Sequence, residues 1–482
     1  MTATTKNSIQ RVSAFTSDSL SNHDAVEISR LIAKGDLCSL DVIRDSIARS
    51  KRVNPLLNAV VTDSFNQAIS EGNGDLVGPF AGVPTFFKDN EQVYGVPTLR
   101  GSRAIHSEPS GASSALVSMF GTLGMVSLGK STMPEFGLTA STEPLLSGAT
   151  CNPWDTSRTP GGSSGGAAAL VASGVVPLAH GNDGGGSIRV PAACCGIVGF
   201  KPTRDRLGVL PTSKMVPIKL FTQGVLTRTV RDTAVFYEEA EKIFKNTTLP
   251  EIGTVPTAPS KPLKIACISN LPGKATGVDP DVYSALLQTA SLCKGLGHHV
   301  ELIDNPFPVK LFHDFAIYWA MLAFFAKFYS KRLLLTEIDK KKVEPFTTSL
   351  TKFFIQRSVT LPAVIRRLRK FTVIYEQLMS RYDIILSPTT CQTAPQIGYL
   401  SPELPFSSLY DRLEQFVPFT CYQNISGAPG ISLPLHKDKQ GLPIGMHFGG
   451  RYGMDSELLA LAYQVEEACP FIGLDKVDGA DL

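Results

Sequence analysis

The chain begins with apolar residues at helical spacing and then changes to short apolar runs. Over residues 24–48, apolar positions recur every three or four residues, which predicts two consecutive amphipathic helices. From Phe80 onward, glycine and proline separate short apolar runs such as FAGVPTFFK, ALVSMFGTLGMVSLG and GAAALVASGVVPLAHG. Runs of this kind are typical of buried strands and helices, so we expect an α/β sandwich around a central sheet.

The second half of the chain predicts a linker followed by a further strand, helix and strand. Residues 245–262 are rich in threonine and proline, which indicates a linker or a long surface loop. The runs LKIACI and HVELID flank a helical segment over residues 280–294. We expect this unit to extend the same central sheet.

Residues 312–328 form a strongly aromatic segment. Its aromatic residues are Phe312, Phe315, Tyr318, Trp319, Phe324, Phe325 and Phe328. His313, Asp314 and Lys327 interrupt it, and the apolar part is too short for a bilayer span. The pattern therefore predicts a buried helix, with the wall of a substrate pocket as the alternative.

Composition narrows the class of protein. The chain has 482 residues, of which 43% are hydrophobic and 18% charged, and its formal net charge is +3. This balance indicates a soluble globular protein and gives no reason to expect nucleic-acid or membrane partners. The first twenty residues contain no apolar secretion signal, so we expect a cytoplasmic protein. Nine cysteines without a C-x-x-C pair favour reduced thiols over a disulfide framework or a zinc site.

No second composition class appears along the chain, so we expect one catalytic domain over residues 1–482. Within it we assign 1–79 to a helical collar, 80–245 to the catalytic core, 246–380 to a variable substrate-side region and 381–482 to the C-terminal part of the core. We expect a monomer or a homodimer.

Two glycine-flanked serines are the main candidates for chemistry. Ser163 lies in GGSSGG and Ser187 lies in DGGGSIR. Glycine allows the tight turns that bring a backbone close to a ligand. The run Gly184, Gly185, Gly186 and Ser187 can direct consecutive N–H groups toward one point, as an oxyanion in acyl transfer requires. The pattern predicts a hydrolytic site that contains both serines.

Such a site needs a base, and Lys88 is the candidate. It ends the apolar run in GVPTFFKDN, so its amine can be desolvated. Burial lowers the pKa of a lysine and makes it a general base near neutral pH. The alternative is a surface lysine paired with Asp89.

The segment GMVSLGKS over residues 124–131 matches the phosphate-binding pattern G-x-x-x-x-G-K-[ST]. In a nucleotide-binding loop, a strand precedes the glycines and the Lys-Ser pair opens a helix. Here the run between the glycines is itself strand-like and Pro134 follows closely, so we expect no nucleotide site.

The segment GGSSG over residues 161–165 also fits the nucleophile-elbow pattern G-x-S-x-G. In that alternative, Ser163 is the nucleophile of a Ser-His-Asp esterase, with His436 or His447 as the base. The alternative leaves Lys88 and Ser187 without a role.

Taken together, Lys88, Ser163 and Ser187 resemble the Ser-cisSer-Lys triad of the amidase signature family. Four further segments agree with that family: GATCNPWD at 148–155, LTRTVRD at 226–232, NISGAPGISLP at 424–434 and GLPIGMHFGG at 441–450. The resemblance covers nearly the whole chain and is weakest over residues 247–381. It implies a large α/β/α sandwich around a mixed, mostly parallel twisted sheet, with N-terminal helices and a variable helical insertion.

The resemblance also implies roles for these residues. Ser187 would be the nucleophile, Ser163 the bridging serine in a cis peptide and Lys88 the final base, while the amides from Gly184 to Ser187 would form the oxyanion hole. Structural support would come from Ser164 and from an ion pair between Asp183 and Arg189. The activity implied is hydrolysis of C–N bonds without metal or organic cofactor.

The motifs DGGGSIR and PAACCG resemble the branch with cyclic nylon-oligomer hydrolases and urethanases. They imply small linear or cyclic amides, and carbamates, as substrates. A catalytically silent scaffold homologue is the remaining alternative, although all three triad positions are filled.

Overall fold

The computed structural model describes residues 10–208, 216–271 and 277–477. The helices are α1 (Ala25–Lys34), α2 (Ser39–Leu57), α3 (Phe65–Gly72), α4 (Ala115–Thr122), α5 (Gly165–Ala172), α6 (Arg189–Cys195), α7 (Val230–Ile243), α8 (Pro280–Gly295), α9 (Leu311–Phe328), α10 (Ser330–Leu333), α11 (Pro345–Arg357), α12 (Leu361–Met379), α13 (Phe406–Phe416), α14 (Cys421–Ser426) and α15 (Asp455–Ala468). The strands are β1 (Val60–Asp63), β2 (Pro84–Lys88), β3 (Val126–Ser131), β4 (Leu178–Asp183), β5 (Val198–Lys201), β6 (Thr222–Thr227), β7 (Lys264–Ile268), β8 (His299–Ile303), β9 (Ile384–Pro388), β10 (Gly430–Lys437) and β11 (Pro443–Gly449).

The main sheet has eight strands in the order β4-β6-β5-β10-β11-β9-β7-β8. The α/β class and the mixed sheet are confirmed, but the predominance of parallel pairs is not. The pairs from β4 to β9 are antiparallel, and the parallel pairs are β9 with β7 and β7 with β8. The antiparallel pairing of β10 with β11 follows from the short turn that joins them, because a parallel pair requires a long crossover connection.

A smaller sheet, in the order β1-β3-β2, stands beside the β4 edge of the main sheet. The Thr85 hydroxyl on β2 donates to the Leu178 carbonyl on β4 at 3.1 Å. This contact lies at the beginning of both strands and sets β2 beside β4, and Lys88 and Asp183 are the last residues of these two strands.

Two fully buried helices, α5 and α6, begin just after the two candidate serines. Their residues are mostly small, so the surrounding elements approach closely. A Cβ atom at Gly165 would lie 2.3 Å from Thr142 Oγ1, and one at Gly166 would lie 2.4 Å from Thr132 Oγ1. These helices therefore hold both serine loops against the core.

The predicted local elements are confirmed in most places. Helices α1 and α2 form in the predicted N-terminal segment, although α2 continues beyond it to Leu57, and no helix or strand is present between Ile243 and Lys264. The unit β7-α8-β8 extends the main sheet at its far edge. The subdivision of the chain into 1–79, 80–245, 246–380 and 381–482 stays a prediction.

The aromatic segment forms helix α9, which packs against α11 and α12. Contrary to the expectation from the sequence, α9 is long and apolar enough for a membrane span, but 56% of its 18 residues are buried inside the fold. The prediction of a buried helix is confirmed. Phe315 and Trp319 also line cavities at the candidate site, and the alternative of a substrate-pocket wall stays a prediction.

Candidate active site

Lys88 is completely buried at the end of β2. Its ammonium nitrogen donates to Ser163 Oγ at 2.6 Å, to Ser164 Oγ at 3.0 Å and to Asn182 Oδ1 at 2.6 Å. The alternative of a surface lysine paired with Asp89 is therefore wrong. That carboxylate contacts Lys130 Nζ at 3.3 Å instead.

The surroundings of Lys88 favour its neutral form. Burial lowers the pKa of Lys88 from 10.5 to about 7, although the negative charges of Asp183 and Glu91 act in the opposite direction. Two of its three hydrogen-bond partners are hydroxyl groups, which serve equally as donors and acceptors. The amine can therefore give or take a proton through Ser163 near neutral pH.

Ser163 and Ser187 face one cavity from two different loops. Both line a cavity of about 240 Å³ together with Asn182 and Gly184. The peptide bond between Gly162 and Ser163 is cis, as the resemblance implied. The two loops are joined where the Ser164 amide donates to the Ser187 carbonyl at 3.2 Å. The structure thus brings together the two serines that are distant in the sequence.

The glycine loop before Ser187 is held from both sides. The Gly186 amide donates to Asp183 Oδ1 at 2.7 Å, and the Gly185 carbonyl accepts from Thr420 Oγ1 at 2.6 Å. Gly186 has a φ of 130°, and a Cβ there would lie 2.4 Å from Thr420 Oγ1, so this position requires glycine. Within the described residues, the amides of Gly184, Gly185 and Ser187 have no protein acceptor, and they remain available to a ligand.

The predicted ion pair between Asp183 and Arg189 is present and fully buried, with 2.9 Å between Arg189 Nη2 and Asp183 Oδ1. Arg189 also donates to Asn424 Oδ1 at 2.7 Å and contacts His447 Nε2 at 3.0 Å. Burial raises the pKa of Asp183, but Arg189 and the Asn424 amide outweigh it and hold that pKa below its usual range. The carboxylate that anchors Gly186 is therefore charged at neutral pH.

Neither histidine of the elbow alternative contacts Ser163. His447 is buried between Arg189 and Ser387, and the pKa of His447 lies well below its usual value because of burial and the charge of Arg189. His436 contacts Thr289 Oγ1 at 2.8 Å. The segment that matches the phosphate-binding pattern does not form a nucleotide-binding loop, because its Lys130 and Ser131 are the last residues of β3.

Sequence analysis missed two features around Lys88. Asn182 directly precedes Asp183 and accepts from the lysine amine. His180 accepts the Lys88 backbone N–H at Nδ1 (3.3 Å), so its Nε2–H donates to Gln223 Oε1 at 3.0 Å. Glu91 then accepts from the Gln223 amide at 2.7 Å. The only sequence signal was polar residues in the strand segment LAHGND, where a buried strand is expected to be apolar.

A second cavity, of about 90 Å³, meets the first at Ser187. Gly137, Leu138 and Trp319 also line both. Metal-ligating side chains are not gathered anywhere in the described ranges into a group of three or more that could hold an ion. The cysteines of those ranges are all unpaired thiols.

Comparison with known proteins agrees with this geometry. The amidase family model matches residues 41–459. The chain is 40% identical to a putative amidase, AmiC, from Mycobacterium tuberculosis, over 96% of this chain and 98% of the relative. It is 30% identical to the 6-aminohexanoate-cyclic-dimer hydrolase of Paenarthrobacter ureafaciens, over 93% of this chain and 95% of the relative. A solved structure of a 6-aminohexanoate cyclic dimer hydrolase with substrate superposes with a TM-score of 0.85 at 28% identity, covering 94% of this chain and 99% of that one.

The fold and the site thus define a hydrolase that acts on amides. The chain belongs to the amidase signature family, so the resemblance to that family is confirmed, whereas the resemblance to urethanases stays a prediction.

Proposed function

We propose that this protein cleaves C–N bonds of small amides through an acyl-enzyme on Ser187, with Ser163 as proton relay and Lys88 as base. One observation carries the proposal. A fully buried lysine with a pKa of about 7 lies 2.6 Å from a serine hydroxyl that shares a cavity with a second serine on a glycine loop. Among the alternatives, a Ser-His-Asp esterase has no histidine at Ser163 to support it.

The reaction follows from the order of these groups. Ser187 Oγ attacks the carbonyl carbon, its proton passes to Ser163 Oγ, and the Ser163 proton passes to neutral Lys88 Nζ. The tetrahedral intermediate expels the amine, which receives a proton by the same route in reverse. Water then attacks the Ser187 ester, releases the acid and restores the serine.

The glycine loop would stabilise the intermediate. The unoccupied amides of Gly184, Gly185 and Ser187 are the available oxyanion donors, whereas the Gly186 amide serves Asp183. In well-studied hydrolases, loss of one such donor costs about 3 kcal/mol of transition-state stabilisation. Carbamates are a second substrate class for the same chemistry, because they present the same carbonyl to the nucleophile.

Covalent labelling tests the proposal directly. A fluorophosphonate probe is expected to label the wild-type protein at Ser187, to be located by peptide mass spectrometry, and to block amide hydrolysis in proportion to labelling. Labelling at Ser163 with Ser187 untouched would support the elbow alternative. A protein that neither reacts with the probe nor hydrolyses any member of a panel of aryl amides, aliphatic amides and aryl carbamates would be the scaffold homologue.

The pH dependence provides a second test. Only neutral Lys88 can accept the proton, and its pKa of about 7 is lowered by burial. We therefore expect kcat/KM to rise about tenfold per pH unit below pH 7 and to level off above about pH 8. The measurement is a kcat/KM profile from pH 5 to 10 with one unactivated amide. A rise centred near pH 10 would mean that Lys88 is not desolvated as described.

A further inference from the structure

We infer that the two cavities meeting at Ser187 fix the orientation of the bound substrate. The smaller cavity takes a short apolar acyl group, and the larger one takes the amine portion. This inference rests on the proposed function, and it names the class of amide: short-chain acyl amides of bulky, aryl-bearing amines.

The direction follows from where the relay serine lies. Ser163 lines the larger cavity and not the smaller one, and Asn182 beside it does the same. The leaving nitrogen must receive its proton from Ser163 Oγ, so it has to lie within hydrogen-bond reach of that atom. The amine portion therefore extends into the larger cavity. The acyl carbon becomes bonded to Ser187, so its substituent extends into the smaller cavity on the other side of that residue.

The two volumes set different size limits. An apolar protein cavity of about 150 Å³ accommodates benzene, and a water molecule, which is close in size to a methylene group, takes about 30 Å³. The larger cavity, at about 240 Å³, holds a ring with substituents, whereas the smaller one, at about 90 Å³, holds roughly three carbon atoms. Acetyl to butyryl groups fit within that volume, whereas an octanoyl or phenyl-bearing acyl group exceeds it.

The walls of the two cavities differ in chemistry as well. The smaller cavity is lined by apolar side chains from three helices, including Phe315, Leu350 and Leu413. The larger one has polar side chains among its lining, including Asn90, Gln92 and Arg100. An uncharged acyl chain suits the first environment, whereas the second can also contact polar groups of a substrate.

The wall between the cavities consists of Trp319 and Leu138. The indole N–H of Trp319 donates to the Leu138 carbonyl at 3.2 Å, which joins α9 to the loop before α5. Trp319 stands over Gly184, where a Cβ would lie 3.0 Å from the indole and 2.6 Å from Phe221. Glycine at 184 thus lets the rings of Phe221 and Trp319 reach the loop of Ser187, and of these two rings only Trp319 also borders the smaller cavity.

Two isomeric amides test whether the acyl group occupies the smaller cavity and the amine portion the larger one. N-benzylbutanamide has a short acyl group and a bulky amine, whereas N-propyl-2-phenylacetamide has the same atoms with the amide reversed. Both release an alkylamine, so their intrinsic reactivities are similar. We expect kcat/KM for N-benzylbutanamide to be at least tenfold higher, because a hydrophobic pocket discriminates by about tenfold or more for each group that does not fit. Equal values or the opposite preference would overturn the inference.

Matched variants test which cavity holds which group. Leu350→Ala enlarges the smaller cavity and is expected to raise the ratio of N-benzyloctanamide to N-benzylbutanamide hydrolysis at least tenfold. Leu413→Ala, at a half-buried position of the same wall, provides the same test if Leu350→Ala folds poorly. Phe221→Leu changes only the larger cavity and should leave this ratio unchanged while raising hydrolysis of the bulkier N-(naphthylmethyl)butanamide.

Failure of the inference differs from failure of the proposed function. Hydrolysis that depends on Ser187 but shows the reversed preference, or an acyl-length ratio that responds to Phe221→Leu, overturns the inference alone. Absence of hydrolysis that depends on Ser187 for every amide overturns both.

Discussion

Replacing Ser187 with alanine is expected to lower kcat for amide hydrolysis by roughly 10⁴-fold or more, as removal of a serine hydrolase nucleophile does elsewhere. Lys88→Ala is expected to have an effect of similar size. Its amine contacts Ser163, Ser164 and Asn182, and no other base contacts Ser163 Oγ within the described residues. Because the three groups act as one relay, the double variant Ser187→Ala/Lys88→Ala should be hardly less active than either single variant.

The measurement is single-turnover and steady-state hydrolysis of N-benzylbutanamide, with the folded state of each variant checked by thermal unfolding. His436→Ala is the control, since this histidine contacts Thr289 away from the site, and it should keep wild-type kcat. His447→Ala should keep measurable activity. If His447→Ala is inactive while Lys88→Ala keeps wild-type activity, the relay proposed here is wrong and the elbow alternative takes its place.

Replacing Arg189 with alanine should have the largest effect on stability. The variant leaves the buried Asp183 carboxylate without its charged partner and removes the contacts to Asn424 and His447. Removal of one member of a buried ion pair costs about 3–5 kcal/mol, so we expect the free energy of unfolding to fall by that amount. Activity should fall too, because Asp183 also anchors the Gly186 amide.

Urea unfolding at pH 7 measures this effect. Arg189→Lys keeps the charge but loses the planar fork that bonds both Asp183 and Asn424, so its loss of stability should be intermediate. Lys242→Ala, which removes an exposed pair with Glu239, is the control and should change stability by no more than about 0.5 kcal/mol. A loss in Arg189→Ala as small as in this control would show that the buried pair does not hold the loop.

Local patterns predicted much of the fold because they report local physics. The three-to-four spacing over residues 24–48 reports one buried helix face, and α1 and α2 occupy that segment. Strand pairing was harder to predict. Strands β4 and β5 both pair antiparallel with β6, which follows them in the chain. The apolar content of a strand does not indicate the direction in which its neighbour runs.

The candidate site, like the fold, could be predicted from the sequence only in part. The glycines around Ser163 and Ser187 indicated two backbone turns close to a ligand, and the order of the motifs indicated the family. Asn182 and His180 were missed because a polar residue in a buried strand has no local signal of what it bonds. The ion pair between Asp183 and Arg189 could be predicted from the sequence because only one short loop separates the two residues.

The sequence by itself therefore determined helices α1, α2, α8 and α9, the two serine loops, the candidate base and the family, since spacing, glycine content and motif order are properties of short segments. Only the tertiary structure decided that Lys88 lies 2.6 Å from Ser163 and that its pKa falls to about 7. It also decided that two cavities of unequal size meet at Ser187. The physical reason is that desolvation and cavity shape depend on every element packed around a group, and here those elements come from strands and helices far apart in the chain.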